Sequence, residues 1–205
     1  MPQQGIHSVT VPGAVAGWAA LHSRFGRVAF DTLLEPAIAH AEEGFPVSEI
    51  VALEWRGCAS ILASDESAAS LYLPKGRPPA AGEMFRNADL ARALRAIARH
   101  GRDAFYAGEI GARILECSAE RGGRFSRADL ADYDAEWVAP LSTTYRGWEV
   151  FEIPPNSQGI AALLMLNILE AFPVNSYGFG TVETIHVLIE AKKLAYADLR
   201  RHIGD

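Results

Sequence analysis

From Ile160 to Phe172 the sequence is almost wholly apolar, and this stretch limits the possible folds more than any other. A helix that is apolar on every side has to be covered on most of them. No run in the chain approaches the roughly 20 apolar residues that a membrane helix requires, so the stretch predicts a helix buried on most sides. Just upstream, residues 137–145 and 148–153 read as two strands on either side of Arg146-Gly147. Trp148, Val150, Phe151 and Ile153 predict that the second strand is mostly buried. A last helix should start at Thr181 and carry Ile185, Leu188, Ile189, Leu194 and Ala195, with Gly204 as its stop.

The first two-thirds of the chain follows a helical period instead. Val15, Trp18, Leu21 and Phe25 recur at helical spacing, with Gly26 placed to end that helix. Pro36 is expected at the first position of a second helix, with Ile38 and Ala41 inward and Gly44 and Pro46 as the exit. Ser48 should cap a third helix running through Ile50, Leu53, Ile61 and Leu62. Residues 72–86 contain Pro74, Pro78 and Pro79, each without a backbone donor, and predict a loop. Asn87 should cap a helix bearing Leu90, Leu94 and Ile97 that closes at Gly101. A further helix is expected from about Glu109 to Glu120, stopping at Gly122-Gly123. Ser126 and Asp129 form a capping-box start for a short one. The chain thus reads as mainly helical over 1–132 and as strand-strand-helix-helix over 133–205.

Charge excludes one class of partner. The formal net charge of -6 argues against nucleic acid, since phosphate binding needs a surplus of Lys and Arg. Arg92, Arg95, Arg99 and Arg102 do cluster, but at the spacing of a solvated helix face. The six histidines show neither HxxxH nor HxH spacing, and none lies in a HExxH, so no metal is expected. No phosphate-cradling glycine loop is present and no cofactor is implied. Cys58 and Cys117 lie far apart, outside any CxxC, and read as small apolar residues that leave the compartment undetermined. Met-Pro-Gln-Gln-Gly at the start carries neither a charged nor an apolar leader region, so no signal peptide is expected within it.

One segment has site-like geometry. Pro155-Asn156-Ser157-Gln158-Gly159 lies between a strand and the apolar helix, where free N–H groups favour an anion or oxyanion. Ser157 as nucleophile, followed in chain order by His186 and Asp198, would make a triad. The GxSxG elbow is absent, however, because Pro155 stands where the strained turn needs its first glycine. The plainer expectation is that Asn156 or Ser157 caps the helix.

Several segments in one order resemble the large subunit of the γ-glutamyltransferase family. Ser8 to Trp18 resembles its VPG-xxx-GW segment, and Leu34 to Val47 its PAI-xxA-xxGF-V helix and exit. Gly101 to Gly108 resembles G-x-xAFY-xG, and Gly122-Gly123 through Asp129-Leu130 to Tyr133 resembles GG-xxxxxDL-xxY. Tyr145-Arg146-Gly147, Pro154 to Gly159 and Glu190-Ala191 through Tyr196-Ala197-Asp198 complete the series. The resemblance implies an α/β fold: an α-rich segment of an N-terminal-nucleophile hydrolase-like α/β/β/α sandwich, with helices dominating and a strand pair near 137–153. It implies a precursor that cleaves itself, freeing an N-terminal Thr whose own α-amine serves as base.

The chain is therefore expected to be an internal piece of a larger amide-hydrolysing enzyme and inactive alone. Its partner would be a small-subunit segment carrying the Thr nucleophile, and the substrate of the whole a γ-glutamyl amide of glutathione type. The resemblance places the Thr, the Arg that binds the substrate α-carboxylate and the oxyanion-hole residues outside these 205 residues. No catalytic, substrate-binding or metal residue is carried over. Pro155-Asn156-Ser157-Gln158-Gly159 departs from the Pro-Ser-Ser-Gly-Gly of many family members, and Leu199 from an Arg. These departures keep open a sibling acylase of the cephalosporin or glutaryl type. The absence of a complete site keeps open a non-catalytic helical module that binds a partner. In either case the strands near 137–153 should keep unpaired edges and leave apolar surface exposed.

Overall fold

The computed structural model describes residues 2 and 4–204, so the readings made at Met1, Gln3 and Asp205 lie outside the described residues. The chain divides into two compact units, residues 1–135 and 136–205.

The first unit opens with a 3-10 turn at Ile6–Ser8, followed by α1 (Ala14–Phe25) and α2 (Phe30–Glu43). Next come β1 (Phe45–Pro46), α3 (Glu49–Gly57), α4 (Ala59–Ala63), α5 (Glu66–Tyr72) and β2 (Met84–Phe85). The unit closes with α6 (Ala88–His100), α7 (Arg102–Tyr106), α8 (Glu109–Glu120) and α9 (Arg127–Ala131). The expected side-chain caps form where they are local. Ser48 accepts from Val51 N–H at 3.3 Å, Asn87 from Leu90 N–H at 2.9 Å, and Ser126 with Asp129 makes a full capping box.

Several expectations are corrected. Pro36 lies inside α2 rather than at its first turn. It is exposed there, where its missing N–H leaves the Thr32 carbonyl without its helical donor. Gly26 ends α1 in an extended conformation, φ −64°, rather than a left-handed one. An added Cβ there would sit 2.5 Å from the His22 carbonyl, so close packing selects the glycine. The third helix breaks at Cys58 into α3 and α4, leaving Ile50, Leu53 and Ile61 exposed and Ala52 buried. Both cysteines are exposed rather than packed inside.

Two separate apolar cores form in this unit. One joins Val15, Ala16, Ile97, Ala104, Tyr106 and Leu130, with Leu130 completely buried. The other joins Val47, Ala52 and Phe85, flanked by Trp55 and Leu71. Of the loop expected over 72–86, Tyr72 ends α5 and Met84–Phe85 form β2, and the irregular residues 73–83 are tied down by one side chain. Glu83 accepts from Lys75 Nζ at 2.9 Å, from Arg77 Nη1 and Nη2 at 2.8 and 2.9 Å, and from Ala80 N–H at 2.6 Å. The hydrogen bonds from Arg77, then from Ala80 N–H and Lys75, hold the Glu83 carboxyl far below the usual carboxylate range. A depressed folded value means a stabilising contribution that is complete above the unfolded value of about 4.3 and fades as pH falls through the folded one. Amide protection over residues 73–83 is therefore expected to fall as pH drops below about 4. In Glu83→Gln, followed by hydrogen exchange, that acid dependence should be absent.

The second unit contains β3 (Leu141–Tyr145), β4 (Trp148–Glu152), α10 (Gly159–Glu170), α11 (Val174–Tyr177) and α12 (Val182–His202). The strands pair antiparallel, Leu141 opposite Glu152 and Tyr145 opposite Trp148. Arg146 and Gly147 both have positive φ, 53° and 83°, as a two-residue hairpin turn with the twist of the strands requires. α10 packs on the hairpin and on α12, and Ala161, Leu163 and Leu169 are buried there. Thr143 bonds Asn167 between hairpin and helix. The second strand is not mostly buried, because only one face of a two-stranded ribbon can meet α10. Phe151 and Ile153, on the other face, are 55% and 66% exposed, while Trp148 shares the face of Val150 but sits at the turn end of the hairpin and is 77% exposed. On α12 likewise, Ala191 and Ala195 are buried while Ile185, Ile189 and Leu194 are exposed.

Candidate functional site

The serine triad does not assemble. His186 and Asp198 belong to the same helix, α12, twelve residues apart. At 1.5 Å per residue they stand about 18 Å apart along its axis, far beyond any hydrogen bond. The cap position of α10 falls to Gln158, not to Asn156 or Ser157, and the Gln158 side chain caps no N–H. Ser157 Oγ accepts from Gly159 N–H at 3.4 Å, and Tyr196 Oη donates to Gln158 Oε1 at 3.4 Å. The place where an anion was expected already has a carboxylate beside it. A Cβ on Gly159 would fall 2.6 Å from Glu152 Oε2, so glycine is what lets the Glu152 side chain lie against the first turn of the helix. A negative charge is favourable there because the helix dipole is positive at that end.

The segments Val11 to Trp18, Gly101 to Gly108 and Asp129 to Tyr133 meet in the interior of the first unit. Tyr106 Oη donates to the Pro12 carbonyl at 2.6 Å and accepts from Ala16 N–H at 3.2 Å. It caps α1 from ninety residues away, at a helix start where Gly13 offers no side chain. Tyr133 stacks on Tyr106 with centroids 5.7 Å apart, and its Oη fills the space a Cβ on Gly13 would need. Arg102 lies over the Tyr106 ring, 5.0 Å from its centroid, and donates from Nη2 to the Tyr133 carbonyl. Its Nε is buried without a hydrogen-bond partner, and Asp134 Oδ1 is 3.8 Å away. Gly111 lets α8 close on α7, since a Cβ there would be 2.7 Å from the Phe105 carbonyl and 2.9 Å from that of Tyr106. These residues are a scaffold: no nucleophile faces a base among them. Burial pushes the Tyr106 phenol up, so it stays a protonated donor.

Arg92, Arg95 and Arg99 border an open groove of about 1100 Å³ between α6 and the start of α8, whereas Arg102, expected on the same solvated face, lies over Tyr106 instead. Arg92 pairs with Asp89, Arg95 with Glu42 and Arg113 with Glu116, which makes the groove a set of exposed ion pairs. Among the described residues no group of three or more His, Cys, Asp or Glu could hold a metal ion. Among them, too, no helix is long and apolar enough to cross a membrane.

Among solved structures, the cephalosporin acylase of Bacillus halodurans superposes with a TM-score of 0.90 at 40% identity, over 99% of this chain and 39% of that one. The γ-glutamyltranspeptidase of Helicobacter pylori superposes with a TM-score of 0.90 at 29% identity, over 99% of this chain and 59% of that one. The fold is thus a helix-dominated part of the N-terminal-nucleophile hydrolase architecture, as the motif order implied. The γ-glutamyltranspeptidase family model matches residues 1–205, and the chain belongs to that family. The glutathione hydrolase-like YwrD proenzyme of Bacillus subtilis is 39% identical over 97% of this chain and 38% of its own length. An acylase ACY 1 proenzyme from a Pseudomonas species is 40% identical over 95% of this chain and 35% of its own. The chain therefore spans little more than a third of the curated relatives it matches.

Proposed function

We propose that this chain is the scaffold segment of a γ-glutamyl amide hydrolase or transferase whose reacting groups belong to further polypeptide. The observation that supports this most is the convergence of three of the family's motif segments on the packed interior of the first unit, with no nucleophile and base brought together among their described residues. The activity of the whole would follow N-terminal-nucleophile chemistry. A Thr freed by self-cleavage attacks the γ-glutamyl carbonyl, its own α-amine takes the proton, and an acyl-enzyme passes the γ-glutamyl group to water or an amine. The partner is the small-subunit segment that carries this Thr. The exposed Phe151 and Ile153, and the outer edges of β3 and β4, are surfaces that such polypeptide would cover.

The acylase reading rests on a specific observation, the 40% identity to relatives named as acylases, together with Asn156-Ser157-Gln158-Gly159. Steady-state kinetics of the full-length protein separate the two. A site that pairs with the α-ammonium and α-carboxylate of a γ-glutamyl group should reject a glutaryl amide, which lacks the ammonium. The expected preference in kcat/KM is on the order of 10²-fold or more, since a site left with unpaired polar groups discriminates strongly. Equal or reversed values would assign the protein to the acylases.

A further inference from the structure

We infer that residues 45–86 form a hinged lobe that opens as one piece, latched to the rest of the first unit by the Arg121–Asp65 ion pair. The segment comprises β1, α3, α4, α5, the loop 73–83 and β2, and it leaves and rejoins the chain at one place. Phe45 pairs with Phe85 and Pro46 with Met84, so the two ends form a short stem. Val47 N–H donates to the Glu83 carbonyl at 2.9 Å and Gly82 N–H to that of Val47 at 2.8 Å, extending the stem inward.

The lobe has its own interior. Val47, Ala52 and Phe85 pack with Trp55 and Leu71, all of them within the segment. The other core of the unit draws no residue from it. A segment whose apolar burial is internal loses little of it by moving away, and this is the property of a unit that opens separately. Glu83 fastens the longest irregular stretch of the lobe through Lys75, Arg77 and Ala80, so the lobe is stiff inside.

The pivot is the stem. Gly44 has φ +94°, and a Cβ on it would lie 2.9 Å from the Phe85 carbonyl. Arg86 Nε donates to the Glu43 carbonyl at 2.7 Å, and Asn87 N–H to that of Ala41 at 2.8 Å. α2 and α6, which flank the segment, pack on each other and keep the two attachment points side by side.

The latch is near the middle of the segment in sequence. Asp65 Oδ1 accepts from Ala68 N–H at 2.9 Å and caps α5, while Oδ2 accepts from Arg121 Nη1. Arg121 Nη2 reaches Ser67 Oγ at 3.4 Å. Arg121 stands just past α8, whose residues Ile110, Ile114 and Leu115 pack on the other core. The Arg121 guanidinium therefore ties the start of α5 to the body, and salt should weaken it because the pair is partly exposed.

Hydrogen exchange of the 205-residue chain tests this. Amides of α3 and α5 should exchange at a common rate, faster than those around Leu94 and Ile97 in α6. Arg121→Gln should raise the lobe's exchange about two- to fivefold, the range expected for a partly exposed ion pair, and leave α6 unchanged. Asp65→Asn, which keeps an oxygen to cap α5, should do the same, and adding 0.5 M salt to either variant should add nothing further (about one Debye length of a few ångströms). A lobe that exchanges at the rate of α6 would overturn the proposal. So would an Arg121→Gln effect spread evenly over the unit, or an Asp65→Asn variant indistinguishable from the parent.

Discussion

Leu130→Ala is expected to destabilise the first unit by about 2–5 kcal/mol, the cost of deleting a buried leucine whose surroundings collapse only partly. Leu130 is 0% exposed and is the single core residue of α9, a helix of five residues. So short a helix cannot hold itself in water, and its docking depends on the side chain that enters the core with Val15, Ala16, Ile97 and Tyr106. The capping box of Ser126 and Asp129 fixes where the helix starts but not where it docks. Urea unfolding is the appropriate measurement, with the midpoint falling and the slope unchanged. Trp148→Ala, at a side chain 77% exposed on the hairpin, is the control and should move stability by less than about 0.5 kcal/mol. A Leu130→Ala loss as small as that of the control would show that α9 is not docked as described.

Tyr106→Phe is the second large effect, and it isolates one oxygen atom. The ring keeps its place against Tyr133 and under Arg102, and the cavity left is smaller than a methyl group. What disappears is the partner of the buried Ala16 N–H and of the Pro12 carbonyl. A buried polar group left without a partner costs about 1–3 kcal/mol, and a loss in that range is expected, chiefly from the Ala16 N–H because the Pro12 carbonyl is only partly buried. The loss should be concentrated at α1, and its first-turn amides should exchange faster than those of α6. The hydroxyl also sets an alkaline limit. Burial raises the folded value of this phenol, so its contribution is complete below the unfolded value of about 10 and is lost as pH rises through the folded one. Tyr106→Phe should remove that part of the alkaline slope. A variant as stable as the parent would mean that the hydroxyl does not cap α1.

Local chemistry carried most of what was legible. Ser48, Asn87, Ser126 and Thr181 each bond an N–H three residues on, and such caps are written in a few adjacent letters. The two-residue turn at Arg146-Gly147 was legible for the same reason. α5, α7 and α11 were not, because helices of seven, five and four residues are too short to show a period. The pairing of β1 with β2 joins segments forty residues apart and leaves no local trace. β4 misled because Phe151, and Ile153 just beyond it, are apolar enough for a buried strand, whereas the hairpin offers only one covered face.

The candidate site divides in the same way. The turn at 155–159 was located from its neighbours, but its geometry depends on Glu152 meeting Gly159 and on the length of α12, which separates His186 from Asp198. The motif residues were legible only as a resemblance. Their physical role, Tyr106 reaching Pro12 and Ala16 across some ninety positions, becomes visible once the chain is folded.

The central claim is that these residues support a reaction whose attacking and cradling groups are supplied by other polypeptide. Release of the aniline from a γ-glutamyl anilide by the 205-residue chain alone tests it most directly. No release above the buffer rate is predicted, whereas release that Ser157→Ala abolishes would contradict the account.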